Sequence, residues 1–168
     1  MKKCLVIDTS SAILLYKSGW MEALLERYRV VTGPLAFREM TVKGYPGAGD
    51  FTRWQREGRI ALQPPPQTAL EPAVDAAPLD PGERECIHLY CAGCGAFILV
   101  DDGPAAAFCR RRAIPYVNAL LVPRLLNPGS AGDTRDAMQT IFSIGRYAPW
   151  VLEYALGCPD DALSFFLP

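Results

Sequence analysis

The stretch Lys3-Cys4-Leu5-Val6-Ile7-Asp8-Thr9-Ser10-Ser11 decides the fold of this chain. Its short run of apolar residues is typical of a strand that is buried on both faces of a sheet. The run ends in an aspartate, and three small hydroxyl residues follow that can cap the next helix. Because ligands of open α/β sheets bind beyond the carboxyl ends of the strands, Asp8 is a candidate site residue.

The composition is that of an ordinary globular protein. Of its 168 residues, 50% are hydrophobic and 21% are charged, and the net charge is −1. No overall field therefore attracts a polyanion or an anionic membrane. No stretch approaches the roughly 18 apolar residues that span a bilayer, and the apolar run near the N-terminus is too short for a signal peptide. We expect a single domain in the cytoplasm, without a membrane partner.

Strand-like and helix-like segments alternate along the chain, which predicts crossover connections and a parallel sheet. Apolar runs predict further strands at 29–32, 59–63, 96–100 and 115–117. Beyond Asn118 the pattern is helical, so we predict one α/β domain with a helical C-terminal extension. One predicted helix begins at Pro34, and the others cover 11–17, 19–28, 50–57, 81–94, 103–112, 119–126, 133–147 and 150–157.

Two of the predicted strands end in aspartate. Asp8 follows the first strand, and Asp101 and Asp102 follow the strand at 96–100. Because the carboxyl ends of parallel strands lie at one edge of a sheet, these carboxylates can converge. Aspartate also starts turns and caps helices, but the repeated placement after a buried strand favours a site. The choice between Asp101 and Asp102 stays open.

Glu39 is a further candidate acid, on the helix that begins at Pro34. Leu35 and Val42 share its helical face, where a carboxylate is costly unless something pairs with it. A solvated helix end is the alternative explanation. We therefore expect Glu39 to face either the strand-end acids or solvent.

The helix predicted at 81–94 begins with acids that differ in direction. Asp80 is a natural N-cap and Glu83 the acid of a capping box. Glu83 shares a face with Ile87, Tyr90, Cys91 and Cys94, which we expect to pack on the sheet. Glu85 points about 200° away, on the same side as Leu89. The spacing therefore favours Glu83 over Glu85 as a site residue.

Such a carboxylate cluster calls for a counter-charge. Four carboxylates about 5 Å apart repel by roughly 3 kcal/mol per pair at an effective dielectric of 20, against folding stabilities of about 5–15 kcal/mol. Magnesium and manganese take oxygen ligands and keep several waters, which suits metal-assisted phosphodiester hydrolysis. The sequence contains neither a G-x-S-x-G nucleophile elbow nor a G-x-x-x-x-G-K phosphate loop.

These motifs, in this order, resemble the PIN domain, the nuclease fold of many VapC-type toxins. The resemblance covers residues 3–126 and implies a three-layer α/β/α sandwich with a central parallel sheet of about five strands. We expect a PIN-like nuclease domain at 1–126 and a helical extension at 127–168 that packs on the same domain. The resemblance rests on segments 6–11, 34–39, 79–87 and 99–102.

The resemblance implies an endoribonuclease that depends on Mg²⁺ or Mn²⁺ and attacks RNA phosphodiesters with a metal-bound water. RNA is then the substrate, and the other expected partners are an antitoxin protein and a second copy of the chain. Of the five implied catalytic acids, all but Glu39 also hold the metal. These acids, with Ser10 as a supporting hydroxyl, are Asp8, Glu39, Glu83, Asp101 and Asp102.

Contacts with RNA are expected from basic side chains, because neutralised phosphates drive nucleic-acid binding. Consecutive arginines on a helix point in different directions, and a solvated face is their commoner role. The candidates are Lys17, Arg38, Lys43, Arg110 and Arg111.

Two other functions stay open. The same fold could act as a catalytically silent module that binds protein or RNA, which predicts no cleavage by the pure protein. A phosphatase with Asp8 as nucleophile would want a second acid two residues later, where Ser10 stands. The apolar helix face at 20–25 is either core or a groove for an antitoxin.

Overall fold

Five short strands form one parallel sheet in the computed structural model of the chain, which describes residues 2–69, 71–127 and 131–159. Their order in the sheet is β3-β2-β1-β4-β5, and every neighbouring pair is parallel. The central strand β1 is buried on both faces, as its unbroken apolar run predicts. The strands are β1 Cys4–Ile7, β2 Arg29–Thr32, β3 Ile60–Leu62, β4 Ile98–Leu99 and β5 Tyr116–Val117.

Helices flank this sheet, and the predicted α/β/α sandwich with a central parallel sheet is confirmed. Short 3₁₀ turns at Gln67–Ala69 and Ala119–Leu121 lie between them. None of the helices in the described ranges is long and apolar enough to cross a membrane. The helices are α1 Thr9–Lys17, α2 Met21–Arg27, α3 Pro34–Met40, α4 Ala48–Arg56, α5 Pro72–Asp75, α6 Pro81–Cys91, α7 Gly103–Arg111, α8 Val122–Leu126, α9 Ala131–Ile144 and α10 Pro149–Gly157.

The strand order reverses between β1 and β4. From β1 the chain moves outward through β2 and β3, then returns to the other side of β1 to form β4 and β5. Ile7 pairs with Leu99, so β1 and β4 end level with each other. Such a reversal leaves a crevice beyond the carboxyl ends of the strands, which is where ligands bind in open α/β sheets.

Some element boundaries differ from the sequence predictions for identifiable reasons. Helix α1 begins at Thr9 and not at Ser11, because Asp8 itself is the N-cap and accepts a hydrogen bond from the Ser11 N–H at 2.8 Å. Helix α6 ends at Cys91, before Gly93, whose φ of +77° is left-handed.

The predicted packing of α6 was wrong in part. Cys91 is exposed, whereas Leu89 is 0% and Glu85 only 7% exposed. The reason is that α6 contacts α3 and α5 as well as β1 and β4, so its buried arc is wider than one helical face. A helical wheel with a single buried face therefore misjudged the surroundings of Glu85.

The C-terminal helices pack on the rest of the molecule. Helix α9 contacts α1, α8, α10 and the 3₁₀ turn Ala119–Leu121, and it buries Met138 and Ile141 completely. A domain boundary at residue 126 stays a prediction. Residues 128–130 and 160–168 of the predicted extension lie outside the described residues.

Candidate active site

A pocket of about 240 Å³ opens at the carboxyl ends of β1 and β4, and we name it the acidic pocket. Four separate chain segments supply its carboxylates: the end of β1, helix α3, the start of α6 and the end of β4. Thr9, Ser10 and Gly82 complete its wall. Its carboxylates are Asp8, Glu39, Asp80, Glu83 and Asp102.

Asp8 is held by the first turn of α1. Its Oδ1 accepts the Ser11 N–H at 2.8 Å, and its Oδ2 accepts the Ser10 hydroxyl at 2.8 Å. The residue is only 3% exposed, and this burial raises the pKa of Asp8 to about 7, with a further contribution from the charge of Asp101. The two serines oppose that rise. Burial thus leaves Asp8 close to titration at neutral pH.

Glu39 reaches the pocket from α3. The Thr9 hydroxyl donates to its Oε2 at 2.8 Å, which ties α3 to the start of α1. A Cβ placed on Gly82 would lie 3.4 Å from the same oxygen, so the first turn of α6 stands directly against Glu39. Glu39 lines the acidic pocket and is also exposed, so it faces both the strand-end acids and solvent.

Glu83 is the carboxylate that α6 contributes. Its Oε2 accepts the Asp80 N–H at 2.9 Å, which is one half of a capping box. Burial raises the pKa of Glu83 to about 7, and the negative charges of Asp102, Asp8 and Asp80 add to this effect. The structure therefore brings Glu83 into the electrostatic field of the strand-end acids.

Asp101 and Asp102 occupy different surroundings. Asp102 lines the acidic pocket, whereas Asp101 lies beside it and accepts several hydrogen bonds. These come from the Ser11 hydroxyl at 2.7 Å, the Ala119 N–H at 3.0 and 3.2 Å, and the Tyr147 hydroxyl. Burial still raises the pKa of Asp101, against these donors. Asp101 therefore joins β4, α1 and the segment after α9.

Glu85 lies away from the acidic pocket, at the N-terminus of α3. Its Oε2 accepts the Leu35 and Ala36 N–H groups at 2.8 and 3.3 Å. Burial raises the pKa of this carboxyl, and the two backbone donors oppose the rise. An acid at the start of a helix is stabilised by the unpaired N–H groups there.

Several polar residues of the site were missed from the sequence. Ser11 was considered only as a capping residue, yet it contacts both Asp8 and Asp101. Its position three residues after Asp8 is the spacing of an N-cap contact, and this signal was available. Thr9 and Tyr147 gave no such signal, because their partners Glu39 and Asp101 are distant in sequence.

The donor set of the acidic pocket fits a hydrated divalent cation. Hard divalent cations bind carboxylate oxygens, which the pocket supplies. Such a cation would also stabilise the ionised forms of Asp8 and Glu83, whose pKa values are raised. Among the described residues, no three Asp, Glu, His or Cys groups stand close enough to hold an ion. A volume of about 240 Å³ leaves room for several waters at about 30 Å³ each. A divalent cation that keeps several of its waters is compatible with this arrangement.

The predicted RNA contacts are scattered. Lys17 lines a second cleft that adjoins the acidic pocket. The other four candidates are exposed and, within the described part of the chain, belong to the wall of neither. Arg38 is on α3, Lys43 follows it, and Arg110 and Arg111 are at the far end of α7. Of the five predicted contacts, Lys17 is the one that lines a cavity beside the candidate site.

Comparison with known proteins gives one match. A family model described as DUF3368, a PIN domain, matches residues 4–148. The matched range includes all five strands and the segment around Tyr147. Searches among curated proteins and among solved structures found no match.

Proposed function

The chain belongs to the PIN domain family, a nuclease fold, and from this premise we propose that it is a metal-dependent endoribonuclease. The observation that carries the proposal is the acidic pocket, where carboxylates from four chain segments meet beyond the ends of β1 and β4. Ordinary folding has no need for such a cluster, because the mutual repulsion of its members lowers stability.

We assign the metal-holding role to Asp8, Glu83 and Asp102, which would hold a hydrated ion partly through its own waters, because among the described residues no three acids stand close enough to bind it directly. Burial and the negative charges of neighbouring carboxylates raise the pKa values of Asp8 and Glu83, and a bound cation would favour their ionised forms. A bound Mg²⁺ or Mn²⁺ would supply Lewis-acid polarisation of the phosphodiester. Asp101 was also expected to hold the metal, but its existing hydrogen bonds favour a positioning role for it.

Glu39 is proposed to take a proton from the attacking water. Its Oε2 is fixed by the Thr9 hydroxyl, and a carboxylate held in this way can act as a general base. Ser10 is proposed to orient Asp8 through its hydrogen bond to Oδ2. Ser10 stands in the first turn of α1, whereas Glu39 stands in the last turn of α3.

The test is cleavage of a labelled single-stranded RNA by the purified chain with and without Mn²⁺ or Mg²⁺. Cleavage should require the metal and should be lost in Asp8→Asn, which keeps an oxygen acceptor for the serines. The matched control is Glu57→Gln, because Glu57 is an exposed acid near the opposite edge of the sheet. Retained cleavage in Asp8→Asn, or equal loss in both variants, would contradict the assignment.

A catalytically silent binding module is the second candidate. It is favoured by the lack, within the described residues, of three metal-holding groups in direct proximity. This alternative predicts that Mn²⁺ neither raises the melting temperature nor supports RNA cleavage, while RNA binding persists.

A role as the toxin of a toxin–antitoxin pair is a further part of the proposal. Growth arrest on expression, relieved by Asp8→Asn, is its test. The apolar helix face considered for an antitoxin is largely core, because Met21, Leu24 and Leu25 are at most 3% exposed. An antitoxin or a second copy of the chain would therefore bind elsewhere.

A further inference from the structure

A cleft of about 510 Å³ adjoins the acidic pocket and shares Ser10 and Asp102 with it. We name it the side cleft. We propose that the side cleft binds the part of a single-stranded RNA that flanks the reacting phosphate, with a phosphate group between Lys17 and Arg146. This inference rests on the proposed nuclease function and adds to it the place where the substrate strand is held.

One wall of the side cleft is a face of α1. Ser10, Ile13, Leu14 and Lys17 stand at positions i, i+3, i+4 and i+7, so they follow one another along the same side of the helix. Seven residues of α-helix rise about 10 Å. The wall therefore leads from the acidic pocket, across two apolar side chains, to an exposed lysine.

The opposite wall is the end of α9, where Ile144, Arg146 and Tyr147 line the cleft. The Tyr147 ring stacks on Phe142 with centroids 6.2 Å apart, and its hydroxyl donates to Asp101. A Cβ on Gly145 would lie 2.5 Å from the Tyr147 ring, so only glycine lets the ring fold back here. This wall is therefore fixed against the end of β4.

Charge and polarity change along the side cleft. Carboxylates stand at the end shared with the acidic pocket, whereas Lys17 and Arg146 are exposed and form no ion pair with any described residue. Ile144 also lines this cleft and is 39% exposed. An anionic chain with flat apolar groups between its charges matches this surface, and single-stranded nucleic acid is such a chain.

The volume of the side cleft is also consistent with binding part of a single-stranded RNA. Ligand sites commonly measure about 300–1,000 Å³, and the side cleft lies within that range. Repulsion by Asp102 favours a bound phosphate at Lys17 and Arg146 over one beside the carboxylates.

The first experiment measures binding without chemistry. Fluorescence anisotropy of a short labelled single-stranded RNA is recorded in EDTA over a range of salt concentrations. Lys17→Ala/Arg146→Ala should bind about tenfold more weakly or worse, with a salt slope smaller by about 0.7, because the two cations share one phosphate and each phosphate contact on a single strand contributes about 0.7. Ile144→Asp, which keeps both cations, should also weaken binding.

The matched control is Arg27→Ala/Arg56→Ala, which removes the same charge from exposed residues near the edge where β2 and β3 begin. Its RNA affinity and salt slope should equal those of the wild type. If both double variants lose affinity equally, or if neither does, the side cleft is not the RNA site.

A small substrate separates this inference from the proposed function. Bis(p-nitrophenyl) phosphate is too short to reach from the acidic pocket to Lys17, so Lys17→Ala/Arg146→Ala should turn it over like the wild type while RNA cleavage falls. An equal loss on both substrates would overturn the inference. If the wild type cleaves neither substrate but the binding contrast holds, the nuclease proposal fails and the side cleft proposal stands.

Discussion

The carboxylate of Glu85 fills the space that any side chain on Gly33 would need. A Cβ on Gly33 would lie 2.0 Å from Oε2 of Glu85, and the same oxygen accepts the first N–H groups of α3. Glu85 thus caps α3, the helix that brings Glu39 to the acidic pocket. The two glutamates of α6 therefore have different roles: Glu83 lines the acidic pocket, and Glu85 stabilises the helix that positions Glu39.

Gly33→Ala should therefore destabilise the chain although the backbone at this position is ordinary, with φ of −86°. The new methyl group expels Glu85 and leaves the Leu35 and Ala36 N–H groups without their acceptor. The expected loss is about 2–4 kcal/mol of unfolding free energy, measured by urea denaturation.

Two further variants isolate the cause. Gly49→Ala is the control, because a Cβ there meets nothing within 4 Å, and in helix α4 it should be neutral or slightly stabilising. The double variant Gly33→Ala/Glu85→Ala should be little worse than Glu85→Ala alone, since the clash is gone. Additive losses in the double variant would contradict the steric explanation.

Asp8 should make stability fall as pH rises. Its pKa is raised from 3.8 to about 7, so the folded state binds the proton more tightly than the unfolded chain. The resulting stabilisation is complete below about pH 4 and is lost as pH rises through about 7. A difference of about three pKa units corresponds to about 4 kcal/mol.

Asp8→Asn cannot titrate at this position, so the difference between its stability and that of the wild type reports Asp8 together with its effect on the pKa of Glu83. The free energy of unfolding is measured with urea in the absence of metal. Between about pH 4 and pH 8, its value for the variant should rise relative to that of the wild type by up to about 4 kcal/mol. Glu57→Gln serves as the exposed control and should follow the wild type. Parallel curves for Asp8→Asn and the wild type would show that Asp8 does not carry this dependence.

Affinity for Mn²⁺ should depend on pH in the opposite sense. Because Asp8 and Glu83 have pKa values near 7, the ion must displace protons from them at lower pH. As pH falls below about 7, the dissociation constant should rise at least about tenfold per pH unit, because each proton that the ion displaces contributes a factor of about ten. Titration calorimetry in two buffers of different ionisation enthalpy counts those protons, and a pH-independent affinity would exclude both groups as ligands.

The fold could be predicted because its signals are local. The apolar runs that form β1 and β2 are short and end in polar or turn residues, so the predicted bounds of β2 equal the observed Arg29–Thr32. Alternation with helices then implies parallel pairing. Asp8 could be singled out for the same reason, since a strand end marks the crevice.

The surroundings of the site acids could not be predicted, because they depend on contacts between distant segments. Asp101 and Asp102 are adjacent, and which of them enters the pocket is settled by donors from Ser11, Ala119 and Tyr147. Nothing near position 101 in the sequence encodes a tyrosine 46 residues later. Tertiary packing on two sides likewise decided the environment of Glu85.

Tyr147→Phe tests whether the segment after α9 supports the end of β4. The variant keeps the ring stacked on Phe142 but loses the hydroxyl that donates to Asp101. Loss of a hydrogen bond to a charged group should lower the unfolding free energy by about 1–3 kcal/mol. The Ser11 and Ala119 donors stay in place, so the fold should persist. The control is Tyr45→Phe, at a tyrosine that is 52% exposed, and it should leave the unfolding free energy unchanged. If the two variants are equally stable, the Tyr147 hydroxyl does not stabilise the end of β4.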